Sequence, residues 1–281
     1  LNVSRFMKGL TMDNNKKAVI EKRIMRTGEK LKKNNMEFYY AETSADIRKI
    51  VKSLISEGDV ITNGGTMTMQ ECGLYDMLSS PEYNYIDRSK VAPEEVRDVY
   101  IKAFSADVYI TSSNAITEDG VLYNVDGNSN RVAAIAFGPK SVIVIAGYNK
   151  IVKNLEEAEL RVKREAAPPN CIRLNCDTPC SKTGECVSLS KSGRQIYDGC
   201  GGDARICCNY LISAYQRHKG RIKVIIVGDS SVGKSSIVNR YHRNSFCSEY
   251  QSTVGASFVT RTIQTQSGKV NINIWDTAGQ E

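Results

Sequence analysis

Three stretches of this chain carry residues whose types and spacing could do chemistry. The most specific is Gly228-Asp229-Ser230-Ser231-Val232-Gly233-Lys234-Ser235, the pattern G-x-x-x-x-G-K-S, placed directly after the β-branched run RIKVIIVGD (221–229). Glycines at both ends let backbone amides wrap around phosphates, Lys234 brings charge to the outer phosphates, and the Ser235 hydroxyl can complete a Mg²⁺ shell. The strand, loop and helix that this motif needs are all written in the sequence. Gly228, Ser230, Ser231, Val232, Gly233, Lys234, Ser235 and Ser236 are therefore expected to contact a nucleotide's phosphates.

The second stretch is rich in thiols. Of nine cysteines, Cys171, Cys176, Cys180, Cys186, Cys200, Cys207 and Cys208 crowd into one segment among glycines, prolines and polar residues. Four thiolates can close a tetrahedral shell around Zn²⁺ or hold an iron–sulfur cluster, because soft sulfur suits both. Cys180, Cys186, Cys200 and Cys207 form the best quartet, with zinc slightly ahead of iron–sulfur. No C-x-x-C pair occurs and the step from Cys186 to Cys200 is long. Buried or surface thiols without a metal are the competing reading.

The third is a set of loops. Asp59–Thr62 (DVIT) reads as a short buried strand, followed by Asn63-Gly64-Gly65-Thr66 and a predicted helix from Met67 to Leu78. Glycines before a helix N-terminus can turn amides toward a phosphate or carboxylate, or can simply make a tight turn, and the residues leave both open. Glu71, one helical turn further on, is a candidate acid or base or an ordinary solvated side chain. A polar loop pair, 114–120 (NAITEDG) and 126–131 (DGNSNR), offers Asn114, Thr117, Glu118, Asp119, Asn130 and Arg131 at predicted strand ends. Ligands of open α/β sheets sit there, although the same residue types dominate plain turns.

The elements that must position these loops alternate. An amphipathic helix over Asn14–Asn34 exposes Lys16, Lys17, Lys22, Lys30, Lys32 and Lys33 and turns Ala18, Ile20, Ile24, Met25 and Leu31 inward. A helix from Ser44 to Glu57 stops at Gly58, and another runs from Pro93 to Phe104. Strands are predicted at 106–111, 131–137, 141–146 and 221–229. This alternation argues for an α/β fold with a mostly parallel sheet covered by helices.

Several motifs in order, GDVITNGGTMTMQECGLYDML, NAITEDG, LYNVDGNSNRVAAIAFGPKSVIVIAGYNKIV and TPCSKTGEC, resemble the LUD domain (DUF162) of lactate-utilisation proteins over about 13–228. The resemblance implies a fold akin to the sugar-phosphate isomerase and CoA-transferase group. It also implies a pocket shared by Gly64, Gly65 and Thr66 with the loop from Asn114 to Gly120, for a small anion or phosphate ligand, and assigns no reaction. Relatives with TPC, TGxC and RIC elements keep a tighter cysteine run, so 188–199 reads as an insertion.

The tail resembles a second family. With the phosphate loop, YQSTVGASF and WDTAGQE are similar to the switch regions of Rab-like small GTPases. By that resemblance Thr253 and Asp276 join Ser235 around Mg²⁺, the Gly279 amide senses the γ-phosphate of GTP, and Gln280 orients the attacking water. GTPase regulators would be its partners. The chain ends at Glu281 before the N-K-x-D and S-A-K motifs, so the tail is expected to be an incompetent half-domain. The division expected is 1–220 LUD-like and 221–281 partial GTPase. RIKVIIVGD suits either parent, which favours a chimera or fragment over a functional fusion.

Composition sets outer bounds. With 41% hydrophobic and 25% charged residues the chain is an ordinary globular protein. The formal charge of +7 is spread along helices rather than gathered beside aromatics, which argues against nucleic acid. No apolar run reaches the roughly 20 residues of a membrane helix. Leu1 in place of Met suggests a clipped N-terminus, and reduced thiols without a signal layout suggest a cytoplasm.

Overall fold

Short runs of β-branched residues, too apolar to face water on either side, alternate here with helices that own one apolar stripe, and such elements can bury their faces only in layers. The computed structural model describes residues 14–228 and the backbone of 256–265 and 268–277. The chain begins α1 (Asn14–Lys33), β1 (Glu37–Ala41), α2 (Ser44–Leu54), β2 (Val60–Asn63), α3 (Met67–Glu71), α4 (Leu74–Leu78) and β3 (Asn84–Tyr85). It continues with α5 (Val96–Lys102), β4 (Val108–Thr111), β5 (Ala115–Thr117), β6 (Leu122–Asp126), α6 (Asn130–Ala136), β7 (Ser141–Gly147), β8 (Ile151–Val152) and α7 (Leu155–Arg161). After a π-helical turn come α8 (Ala167–Arg173), α9 (Pro179–Thr183), β9 (Asn209–Ser213), β10 (Ile222–Val227), β11 (Ala256–Thr265) and β12 (Gly268–Thr277).

The main sheet has the order β1-β10-β7-β4-β2-β3, and every pairing in it is parallel. Strand periodicity divides its side chains between two cores. Val142, Val144, Ile222, Val224 and Ile226 meet Ile24 and Leu31 of α1 and Ile135 of α6, while Ile143, Ile145, Ile225 and Val227 meet Ile47 and Val51 of α2 and Met69, Leu74 and Leu78. A smaller sheet, β8-β5-β6-β9, contributes Ile116 and Leu122 to the first core and Tyr123 and Val125 to a third beneath α7. Backbone pairing joins β11 to β12 antiparallel, Ala256 opposite Thr277.

The expected parallel α/β architecture is present, with local corrections. The run 131–137 was expected as a strand and is the helix α6. Three alanines favour helix, and the Asp126 carboxylate accepts from the Arg131 and Val132 amides at 2.9 Å each, satisfying the exposed donors of its first turn. The single helix expected over Met67–Leu78 breaks into α3 and α4 at Gly73, whose φ is +66°. Helix α2 ends at Leu54, short of Glu57, because the Ser56 amide donates to Asp59 (2.8 Å) in a turn that Gly58 closes at φ +83°. The polar segment after β4 is no simple loop: it contains the β5–β6 hairpin. In α1 the buried stripe is Ile24, Thr27, Gly28 and Leu31, whereas Met25 is exposed.

Candidate functional site

Because the main sheet is parallel, the carboxyl ends of β2, β4, β7 and β10 share one edge, and Gly64, Ser112, Lys150 and Gly228 lie on or just beyond them. Such an edge is where open α/β sheets bind ligands. Gly64 is required there: a Cβ would fall 2.7 Å from the Tyr109 hydroxyl and 2.9 Å from the Thr111 hydroxyl. Asn63 holds the turn, donating to the Gly64 carbonyl (2.8 Å) and the Tyr75 hydroxyl (3.0 Å) and accepting from Tyr85 (2.7 Å). Thr66 caps α3 by accepting from the Thr68 amide at 3.2 Å. The Arg88 guanidinium, stacked on Tyr100, reaches Gly65.

Lys150 follows β7 and donates to the Ser112 hydroxyl at 2.6 Å. Burial, and then the nearby Arg161 guanidinium, lower its pKa to about 8, with Glu71 opposing the shift. Burial also raises the Glu71 carboxyl above its ordinary range, and Lys150 opposes that. Cys72, next to Glu71, is pushed up to about 11 by burial and stays a thiol at neutral pH. Arg161 donates to the Asn114 carbonyl at 2.6 Å and to the Asn149 carbonyl at 3.1 Å. Arg88, Arg131, Lys150 and Arg161 gather along this edge, with Arg131 paired to Asp126 and Arg161 to Glu165.

The loop residues expected to share the pocket divide into two groups. Gly64, Asn114 and Arg131 come together: a Gly64 Cβ would lie 3.1 Å from Arg131 Cγ, and Arg131 donates to Asn114 Oδ1 at 2.8 Å. Arg131 is fully occupied, however, since its remaining bonds go to Asp126, Ser112, Asn124 and Val125 at 2.7–3.0 Å. It is a brace for the edge. Thr117, Glu118 and Asp119 form the turn of the β5–β6 hairpin and face α1: Glu118 pairs with Arg23 at 2.7 Å, the Asp119 carbonyl accepts from Asn34, and the Thr117 hydroxyl accepts from the Val121 amide. Asn130 is the first residue of α6. Glu71 was one candidate acid or base in the sequence, and Lys150, whose charge acts on it, was not singled out there. Its only sequence signal is a lysine just beyond the apolar run 141–147.

Cys180, Cys186, Cys200 and Cys207 line one cavity, joined there by Cys171. Among the described residues no group of three His, Cys, Asp or Glu side chains is gathered closely enough to hold a single ion. Ser230, Ser231, Val232, Gly233, Lys234, Ser235, Ser236, Thr253, Gly279 and Gln280 lie outside the described residues. Asp276 pairs through its backbone with Ser257 in the β11–β12 ladder. Gly228 closes β10, its amide donating to the Ala41 carbonyl at 3.0 Å.

The LUD domain model matches residues 24–227, most of the chain. The chain belongs to the LUD domain family. The Ras family model matches 223–281, so the two matches overlap within β10. Over 59 residues the chain is 54% identical to Ras-related protein Rab2BV of Beta vulgaris and equally to Ras-related protein RABA2b of Arabidopsis thaliana, covering 21% of this chain and 28% of each relative. Ras-related protein RABG3b of Arabidopsis thaliana is 51% identical over 65 residues, 23% of this chain and 32% of its own. The chain therefore spans about a third or less of these Rab relatives. A solved DUF162 family protein from Deinococcus radiodurans aligns at 13% identity with a TM-score of 0.40, over 75% of this chain and 98% of that one. No helix among the described residues is long and apolar enough to cross a membrane.

Proposed function

We propose that the LUD domain binds a small anion, a carboxylate or phosphate ester, at the carboxyl edge of its parallel sheet. Lys150 supplies the charge and Glu71 is placed to carry a proton. The observation behind this is the partly buried Lys150, whose ammonium is destabilised by burial and by Arg161 until its pKa falls to about 8. An arriving anion relieves that strain. Inorganic phosphate and lactate are suitable probes, each tested for a rise in melting temperature and by calorimetric titration.

Binding by one of them is expected, and Lys150→Met should weaken it by about 10–100-fold, the worth of one charge-assisted hydrogen bond. The pH sign follows from the same group. Protonated Lys150 attracts the anion, so affinity holds near pH 7 and falls as pH rises through about 8 and the ammonium of the free site is lost. Equal affinity in the wild type and Lys150→Met would remove the proposal.

A second reading, guanine-nucleotide binding with Mg²⁺ by 223–281, is favoured by the complete phosphate-loop pattern and the Rab likeness. Its ligands would be GTP or GDP, and GTPase regulators its partners. Fluorescent GDP should then bind saturably in Mg²⁺ and lose at least about tenfold in affinity in Lys234→Ala, since that lysine reaches the outer phosphates. Indifference to the substitution would discard this reading. The cysteine segment is read as the holder of zinc or an iron–sulfur cluster, supported by the five cysteines that line one cavity. Thiols in the free form suit a cytoplasm.

A further inference from the structure

We propose that Cys171 and Cys180 are a peroxide-sensitive dithiol, two thiols held in contact that close to a disulfide when hydrogen peroxide oxidises Cys180. Cys171, on α8, and Cys180, on α9, face each other with their sulfurs 3.6 Å apart. Among the described residues no other two sulfurs are hydrogen-bonded: Cys176 and Cys208 turn to the carbonyls of Leu174 and Arg205, and Cys186 to the Ser188 hydroxyl. A disulfide needs about 2.05 Å between its sulfurs, so each sulfur has to travel only roughly 0.8 Å, within reach of a modest side-chain rotation. The turn between the two helices is fixed from both ends. The Cys176 amide donates to the Cys171 carbonyl at 2.9 Å, the Thr178 amide to the Cys176 carbonyl at 3.0 Å, and the Thr178 hydroxyl caps α9 by accepting from the Ser181 amide at 3.3 Å.

Exposure divides the roles. Both cysteines line the same cavity, but Cys180 is 8% exposed and Cys171 only 1%, so the oxidant meets Cys180 first. The Thr178 hydroxyl lies 3.4 Å from the Cys180 sulfur and can donate to its thiolate. That thiolate attacks one peroxide oxygen, the O–O bond breaks, and the hydroxide that leaves takes up the proton Cys180 gave off, leaving a sulfenic acid and one water. The Cys171 sulfur then bonds to the Cys180 sulfur, the S–O bond breaks, and the hydroxyl departs with the Cys171 proton as a second water. Both sulfurs are oxidised and both peroxide oxygens reduced, and no further reagent is needed. Where thiols are kept reduced, disulfides that do form are transient and redox-sensing, which suits a pair that rests as thiols. The dithiol does not rest on the metal-holding reading and competes with it, since a disulfide withdraws Cys180 from any metal.

The full chain, reduced and then freed of reductant, should be treated with hydrogen peroxide, its remaining thiols alkylated, and its tryptic peptides weighed. Cleavage after Arg164, Arg173 and Lys182 places Cys171 in the peptide 165–173 and Cys180 in 174–182. The two peptides are expected joined, lighter than their sum by two hydrogen atoms, and parted again by dithiothreitol. The link should survive Cys176→Ser, which removes the other cysteine of 174–182, and vanish in Cys180→Ser. Separate, fully alkylated peptides in the treated wild type, a sulfinic acid left on an unlinked Cys180, or a link that persists in Cys180→Ser would each overturn the pair. Zinc and iron measured in the same sample keep the two readings apart: metal retained together with unlinked peptides overturns the dithiol and leaves the metal reading standing. The wild-type link is read directly, so the outcome does not depend on any variant folding.

Discussion

A chain ended at Gly228 should fold and melt within about 2–4 °C of the full chain, the shift that roughly 1 kcal/mol produces in a domain of this size. A chain ended at Gly220 should show no cooperative transition. The difference between the two is β10. Its Ile222, Val224, Ile225 and Ile226 are fully buried and Val227 is 5% exposed, while its backbone pairs with β1 on one side and β7 on the other. At about 1.5–3 kcal/mol for each buried aliphatic side chain, losing these five removes roughly 8–15 kcal/mol. That is as large as the whole stability of an ordinary domain, about 5–15 kcal/mol. Thermal melts followed by circular dichroism would settle the matter, and a sharp transition in the Gly220-ended chain would mean that β10 is not needed.

The same strand explains why the two family matches overlap. A six-residue strand of three isoleucines, two valines and Lys223 satisfies either sequence pattern, but in space one strand has only two edges. Both edges of β10 are taken by β1 and β7. Any arrangement that set β12 beside β10 would have to displace one of those neighbours and open both cores of the main sheet. Guanine-nucleotide binding by the tail is thus compatible with the LUD fold only if β10 stays where it is.

Legibility in the sequence followed the range of the interactions. The strands at 141–147 and 222–227 could be read because their burial on both faces is written in consecutive β-branched residues. Helix α6 was misread because RVAAIAF is short and apolar almost throughout. What makes it helical is a cap from Asp126, five residues before Arg131. Glu71 was legible as a candidate by its place after the glycine loop. Lys150 was not, because its lowered pKa depends on burial and then on Arg161 from α7, with Glu71 from α3 opposing the shift, none of which a local window contains. The contact between Cys171 and Cys180 was out of reach for a related reason, since only the packing of α8 against α9 brings the two sulfurs to 3.6 Å.

Arg131→Ala should lower the melting temperature by about 6–20 °C, taking roughly 3–5 kcal/mol for breaking a buried ion pair and 2–4 °C per kcal/mol. Side chains of Arg131 and Asp126 are 11% and 12% exposed, so water cannot replace what is lost. The guanidinium spends its donors on Asp126, the Ser112 and Val125 carbonyls, and the side-chain oxygens of Asn114 and Asn124. Removing it strands those acceptors and unties β6 and α6 from the loop after β4, the same loop whose Ser112 receives Lys150. Arg131→Lys should recover little, because an ammonium keeps the charge but cannot fork to five acceptors. If Arg131 were instead a free ligand-binding residue, its alanine variant would melt like the wild type and lose only anion affinity, the behaviour expected of Lys150→Met. A double-mutant cycle with Asp126→Asn separates the two roles, since a coupling of at least about 1 kcal/mol in stability belongs to a brace and not to a ligand.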